Sequence, residues 1–325
     1  MRSGTIRSPA CLALALLVVL ALVGSARATP ALDQQQPVLS TNGGGLSVSQ
    51  QSVAQVVVSG VAGLLTEIRV PLECMNTASV TLEINDAQYL TPGANNLARS
   101  TLPGSRFPNV LGGPRDFRSV PLEAPPFIPA QKTFSFILSA TGDGCVLIPG
   151  PSLDASAYPR GDAFFNNPAY PPGSWQPLYG DLAFQTFADP VCRVPSVDGA
   201  LRRGAESLIG LYGCTVGRVV MRFASKPPGT VLSTTPTAGT QLASGSPVNL
   251  VVSRGPRPCV VPNVVGKTLR SATSAISHAN CRLGRVKRGF SSRVKLGRIT
   301  AQSPRPGLRL RARAPVNVVV SRGSR

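Results

Sequence analysis

From Val53 to Ala188 the chain alternates apolar and polar residues at a period of two, the signature of half-buried strands. The segments VAQVVVSG (Val53 to Gly60), TEIRVPLE (Thr66 to Glu73), SVTLEIND (Ser79 to Asp86), KTFSFILSA (Lys132 to Ala140) and LAFQTFA (Leu182 to Ala188) carry it. Turn residues separate them, and prolines crowd the connections, as in Glu123-Ala124-Pro125-Pro126-Phe127-Ile128-Pro129. In LAFQTFA, alternation buries Leu182, Phe184 and Thr186 on one side. Such strands over this length predict an all-β sandwich of the jelly-roll sort.

Beyond residue 190 the period changes, and the pattern is written twice. PVNLVVSRG (Pro247 to Gly255) returns as PVNVVVSRG (Pro315 to Gly323). Cys192 aligns with Cys259, Pro195 with Pro262, Gly199 with Gly266 and Cys214 with Cys281. Gly217-Arg218-Val219 aligns with Gly284-Arg285-Val286. A duplication of this kind sets the architecture. In the first copy Leu201, Ala205, Leu208 and Tyr212 fall at helical spacing; in the second Leu269, Ala272, Ile276 and Ala279 do. Gly213 and Asn280 stand at the helix stops, where the left-handed conformation is needed. Strand-like runs follow, ending in VNLVVS or VNVVVS. One helix on a small antiparallel sheet is the expected unit.

The order Val261-Pro262-Asn263-Val264-Val265-Gly266, a helix, Gln302-Ser303-Pro304-Arg305-Pro306-Gly307 and a closing VNVVVSRG resembles the PASTA domain. The first copy departs from it, with Thr234-Thr235-Pro236-Thr237-Ala238-Gly239 at the corresponding place. The resemblance implies an extracellular bacterial module that binds peptidoglycan or muropeptides. The expected organisation is a signal peptide (1–28), an N-terminal segment (29–50), a β-sandwich (51–190) and two PASTA-like repeats (191–256 and 257–325).

The N-terminus supports an extracellular address. Arg2 and Arg7 precede the apolar run Cys11 to Val23, and Ala26-Arg27-Ala28 resembles a signal-peptidase site, with cleavage expected between Ala28 and Thr29. The run is shorter than the ~20 apolar residues of a membrane span, so no span is expected after cleavage. Secretion favours disulfides among Cys74, Cys145, Cys192, Cys214, Cys259 and Cys281. The equal spacing within the two copies predicts Cys192–Cys214 and Cys259–Cys281, which leaves Cys74 for Cys145.

Charge then divides the chain. The protein carries 33 Lys plus Arg against 14 Asp plus Glu, yet Asp198 and Glu206 are the only acids from residue 192 onward. The basic half is expected to attract anionic polymers. Its densest cluster is Arg282, Arg285, Lys287, Arg288, Arg293, Lys295 and Arg298, followed by Arg309, Arg311 and Arg313. If RLRAR is extended, its three arginines share one side. The basic half has few aromatic residues, so no specific nucleic-acid partner is expected; a nonspecific polyanion binder is a further alternative. In the N-terminal half, Tyr158, Phe164, Phe165, Tyr170, Trp175 and Tyr179 crowd together. Tyr170, Trp175 and Tyr179 are candidates for stacking on a sugar, against the alternative that the rings plug the core.

No catalytic constellation is expected. His278 is the only histidine, no G-x-S-x-G occurs, and Gly43-Gly44-Gly45 lacks the Gly-Lys of a phosphate loop. No metal or cofactor is expected either, and Asp162 and Asp181 lack a calcium-loop spacing. The ending Gly180-Asp181-Leu182-Ala183-Phe184-Gln185-Thr186-Phe187 resembles the last strand of secreted bacterial sandwich domains similar to carbohydrate-binding modules. The sequence therefore reads as a non-catalytic, cell-wall-associated binding protein, with a carbohydrate-binding module using the aromatic segment 158–179 as the alternative.

Overall fold

The computed structural model describes residues 30–39, 45–88, 91–109, 115–142, 144–152, 158–171, 174–178 and 180–325. The expected signal peptide and its cleavage site at Ala28 and Thr29 lie outside the described residues, as does Tyr179. The chain is mostly β, with two α-helices among the described residues. None of its described helices is long and apolar enough to cross a membrane.

The N-terminal half builds two large sheets. One has the strand order Gln176–Pro177, Ala163–Asn166, Ser52–Val58, Thr133–Thr141, Ser79–Gln88, Thr91–Pro103, every pair antiparallel. The other has the order Ala31–Gln36, Phe184–Arg193, Gly63–Val70, Arg118–Pro121, with Phe127–Ile128 also on Gly63–Val70. Side chains of both sheets enter one core. Val53, Val57, Leu82, Ile84, Phe134, Phe136 and Leu138 come from the first; Leu65, Ile68, Val70, Val120 and Phe184 come from the second. The Phe136 and Phe184 rings meet at 5.5 Å between centroids. Leu182, Phe184 and Thr186 are fully buried, as the alternation requires. Cys74–Cys145 pins a smaller sheet formed by Leu46–Ser47, Cys145–Leu147 and Leu72–Cys74.

A buried polar network closes this half. Asp181, 3% exposed, accepts from Gln55 Nε2 and from the Tyr158 backbone N–H, each at 2.9 Å. Gln55 Oε1 in turn accepts the Leu182 N–H at 2.8 Å. This gives Asp181 a structural role, since a buried carboxylate needs such donors.

The strand Phe184–Arg193 runs on past the sheet, and its last three residues pair with Gln241–Ala243 of the first repeat. One continuous strand therefore crosses the expected boundary at residue 190. The join is reinforced by Ala130 N–H donating to Leu211 O at 2.8 Å and by the Phe127 and Tyr212 rings, 5.4 Å apart.

Each repeat packs one helix, Arg202–Leu211 or Leu269–His278, on a three-stranded sheet. The sheet is mixed, not antiparallel as expected. The closing strand Pro247–Ser253 lies between Thr215–Arg222, which is parallel to it, and Val231–Thr235, which is antiparallel. Pro315–Ser321 does the same between Arg282–Gly289 and Ile299–Ser303. The chain reaches the sheet from the helix, crosses to the far strand, and returns through the centre, which makes the first and last strands point the same way. The helix faces also differ from the expected set. Ala205 and Ile209 are buried while Leu201 is 67% exposed, because Leu201 is the residue before the helix rather than part of its inner face. In the second copy Ala272 and Ile276 are buried, with Leu269 and Ala279 packed beside them. Gly213 and Asn280 end the helices at φ 75° and 55°. The bridges Cys192–Cys214 and Cys259–Cys281 each tie the strand before the helix to the residue that follows that stop.

Candidate functional site

In the second repeat the helix covers one face of the sheet, and the other face is open. Val316, Val318 and Ile299 fill the covered side with Ala272 and Ile276. On the open side lies a cavity of about 330 Å³ lined by Arg285, Lys287, Gln302, Ser303, Asn317 and Val319. It spans all three strands, so two cations on the first strand face hydrogen-bonding groups on the other two. Arg285 and Lys287 are exposed.

The local sequence explains this shape. Pairing of Arg282–Gly289 with the closing strand shifts register between Leu283 and Val286. Within the shift, Asn317 Oδ1 accepts the Arg285 backbone N–H at 2.8 Å. Residue 284 must be small there, since a Cβ on Gly284 would stand 2.2 Å from Asn317 Oδ1 and 3.2 Å from Pro315 Cβ. The first repeat repeats the device, with Asn249 Oδ1 accepting from Arg218 N–H at 2.7 Å. Gln302 is a latch: its Oε1 accepts the Val264 N–H at 2.7 Å and its Nε2 donates to Pro262 O at 2.9 Å. Nothing in the linear pattern marks Gln302, Ser303 or Asn317 as site-lining residues. The asparagine shared by both closing strands marks Asn317 only as part of the repeat.

The basic candidates are spread more widely than the linear cluster suggests. Arg282, Arg285, Lys287 and Arg288 lie on one strand and are exposed. Arg293, Lys295 and Arg298 lie on the following loop, also exposed, and Arg298 Nη1 donates to Gly266 O at 2.8 Å. The extended arrangement of Arg309, Arg311 and Arg313 does not form. The strand Arg309–Leu310 ends at once, and Arg311 to Arg313 turn so that Ala314 N–H reaches Arg311 O. Arg313 adopts φ 58°, with its N–H donating to Asn280 O at 2.8 Å. The three guanidiniums therefore share no strand face. Among the described residues, the only ion pair in either repeat is Arg202 with Glu206, so the basic surface is not neutralised within the chain.

The aromatic cluster of the N-terminal half divides. Tyr158 is a core residue, 4% exposed, with its hydroxyl bonded to Val58 and Gln34. Phe164 is buried as well. Trp175 is half-buried on a small second cluster of Ala54, Val56, Ala87, Ile137 and Phe164. Tyr170 is 40% exposed, its ring 6.0 Å from Phe165. Trp175 lines a hollow of about 280 Å³ and Tyr170 one of about 480 Å³, and both hollows include Ser52 and Ser139. Among the described residues no cluster of His, Cys, Asp and Glu is arranged to hold a metal.

Comparison with known proteins places the repeats in a class. The PASTA-domain family model matches residues 193–254 and 260–322. The chain therefore carries two PASTA domains in tandem. A probable serine/threonine-protein kinase of Clostridium acetobutylicum is 38% identical over 89 residues, 26% of this chain and 14% of the kinase. The kinase PknB of Mycolicibacterium smegmatis is 32% identical over 97 residues, 30% of this chain and 16% of the kinase. The chain thus spans less than a fifth of the length of these relatives, and the shared part is the PASTA region. Among solved structures, the three-PASTA-domain of a Ser/Thr kinase from Staphylococcus aureus covers 40% of this chain and 65% of its own, with 21% identity and a TM-score of 0.34.

Proposed function

We propose that this protein is a secreted, non-catalytic binding protein of the bacterial cell wall, whose two PASTA domains hold peptidoglycan or an attached anionic wall polymer. The N-terminal half is, in this reading, a β-sandwich that serves as a second interaction module. PASTA domains are associated with peptidoglycan-like ligands and extracellular placement, and three disulfides suit an oxidising compartment. The observation that carries the reading is the open sheet face of the second repeat. There Arg285 and Lys287 stand uncompensated over a cavity that also offers Ser303 and Asn317. Cations beside neutral hydrogen-bonding groups suit a polyol or sugar chain bearing phosphate or carboxylate. Co-sedimentation of the chain with purified cell wall tests it: binding at low salt that weakens as salt rises is expected, and no sedimentation at low salt contradicts it.

A second reading rests on Tyr170 and Trp175, whose hollows adjoin through Ser52 and Ser139. Two rings beside serine hydroxyls suit stacking of a neutral glycan. On that reading Trp175→Ala abolishes glycan binding and leaves the fold intact; an unchanged glycan-array profile contradicts it.

A further inference from the structure

An exposed phenylalanine follows the strand after the helix in each repeat, and two arginines from the end of that repeat or just beyond it lie over the ring. Arg254 and Arg257 place their guanidinium carbons 5.9 and 5.5 Å from the centre of the Phe223 ring. Arg322 and Arg325 do so at 5.3 and 5.4 Å from Phe290. The rings are 44% and 53% exposed. Both copies share one arrangement, S-R-G-x-R folded against the residue after the strand.

The arrangement is built by the backbone. Ser253 is fully buried; its hydroxyl donates to Lys226 O at 2.8 Å and accepts the Gly255 N–H at 2.9 Å. Ser321 is its equal, donating to Val294 O at 2.8 Å and accepting from Gly323 N–H at 3.1 Å. Arg254 N–H then bonds Arg222 O, and Ala224 N–H bonds Gly255 O. In the second copy Arg322 N–H bonds Gly289 O and Ser291 N–H bonds Gly323 O. These bonds hold the arginine-bearing hook beside the ring. Guanidiniums stacked on an aromatic face keep their N–H forks free at the edge. None of the four arginines belongs to an ion pair among the described residues.

We propose that each PASTA domain carries an aromatic–guanidinium cradle, Phe223 with Arg254 and Arg257 and Phe290 with Arg322 and Arg325, that binds an oxyanion repeated along a polyol or sugar polymer. This rests on the wall-binding reading and gives it a second contact point, away from the cavity at Arg285 and Lys287. The ring limits the freedom of two long side chains, so less entropy is lost when both forks close on a phosphate or carboxylate. One cradle per repeat makes the second contact intramolecular, which favours a long chain over its monomer.

The experiment is titration of the full chain with poly(glycerol phosphate) and with polygalacturonate of matched length, the two sources of the oxyanion. Three variants are compared with the wild type. The first, Arg254→Ala, Arg257→Ala, Arg322→Ala and Arg325→Ala together, removes four charges from the cradles. The second removes four from the strand, with Arg282→Ala, Arg285→Ala, Lys287→Ala and Arg288→Ala. The third, Phe223→Leu with Phe290→Leu, keeps every charge and the apolar bulk. On the chain that the wild type binds more tightly, a loss of roughly tenfold or more is expected for the cradle variant, exceeding that for the strand variant. A loss of roughly threefold is expected for the phenylalanine variant. Equal losses in the two four-charge variants, with none in the phenylalanine variant, overturn the cradle while wall binding stands. If the wild type binds neither polymer nor wall material, the wall-binding reading itself fails and the cradle with it.

Discussion

Asn317 Oδ1 accepts the backbone N–H of Arg285, 2.8 Å away, across a register shift that the first repeat reproduces with Asn249 and Arg218. The bond sets how Arg285 leaves the strand, and the small residue before it leaves room for the asparagine. Asn317→Ala is expected to cost about 1 kcal/mol of stability, the net worth of one ordinary hydrogen bond. Gly284→Val displaces the same amide. The two changes together should cost less than the sum of their separate effects, as read from urea midpoints in a double-mutant cycle. Strict additivity contradicts the coupling.

The cystine Cys259–Cys281 closes a loop with a sequence separation of 22 residues in a small unit. Replacing both cysteines by alanine should cost about 3 kcal/mol in the chain-entropy model. Denaturation of wild type and variant without reductant checks it, and unchanged unfolding midpoints contradict it.

The two helix stops differ in what they tolerate. Gly213 has φ 75°, and a Cβ there would stand 2.3 Å from Val191 O, where the first repeat meets the N-terminal half. Gly213→Ala is expected to destabilise by about 1–3 kcal/mol, through backbone strain and collision with a carbonyl. Asn280, at φ 55°, is a residue type that accepts this conformation, so Asn280→Gly should change stability by about 0.5 kcal/mol or less. Differential scanning calorimetry separates the two; a large effect at Asn280 contradicts this account.

Asp33 anchors the strand Ala31–Gln36. Its Oδ1 accepts the Gly60 and Val61 N–H groups at 2.8 and 2.9 Å. Burial pushes its carboxyl above the ordinary 3.8, and these bonds, with the charge of Arg160, offset that only in part. Between the ordinary and the raised value the folded state holds more protons than the unfolded one. Stability contributed by this group therefore falls as pH rises through that window, then levels off. Wild type should lose ground to Asp33→Asn as pH rises above the ordinary carboxylate value and then hold a constant difference, measured by urea midpoints. A difference that is the same at every pH contradicts the shift.

The repeats were the most legible part of the chain. Their register came from residues that do structural work: cystines, helix stops, and the valines of the closing strand. The parallel pairing of the first and last strands was not legible, because alternation reports which face is buried and not strand direction. The side-chain latches of Asn317 and Gln302 were not legible either, since each joins segments far apart in sequence. RLRAR failed as an extended run because Arg313 takes a left-handed turn that alternation does not register. In the N-terminal half, burial of Leu182, Phe184 and Thr186 followed from the period of two. The division of the aromatic cluster into core (Tyr158, Phe164) and half-open surface (Tyr170, Trp175) depended on strand partners that local spacing does not reveal.

The central claim is that the basic PASTA surface holds an anionic wall polymer, and the most direct test is co-sedimentation of the full chain with purified cell wall across a salt series. Wild type should sediment at low salt and be released as salt screens the contacts, while Arg285→Glu with Lys287→Glu should remain largely in the supernatant even at low salt. Equal sedimentation of the two proteins, or none for wild type at any salt, contradicts the account.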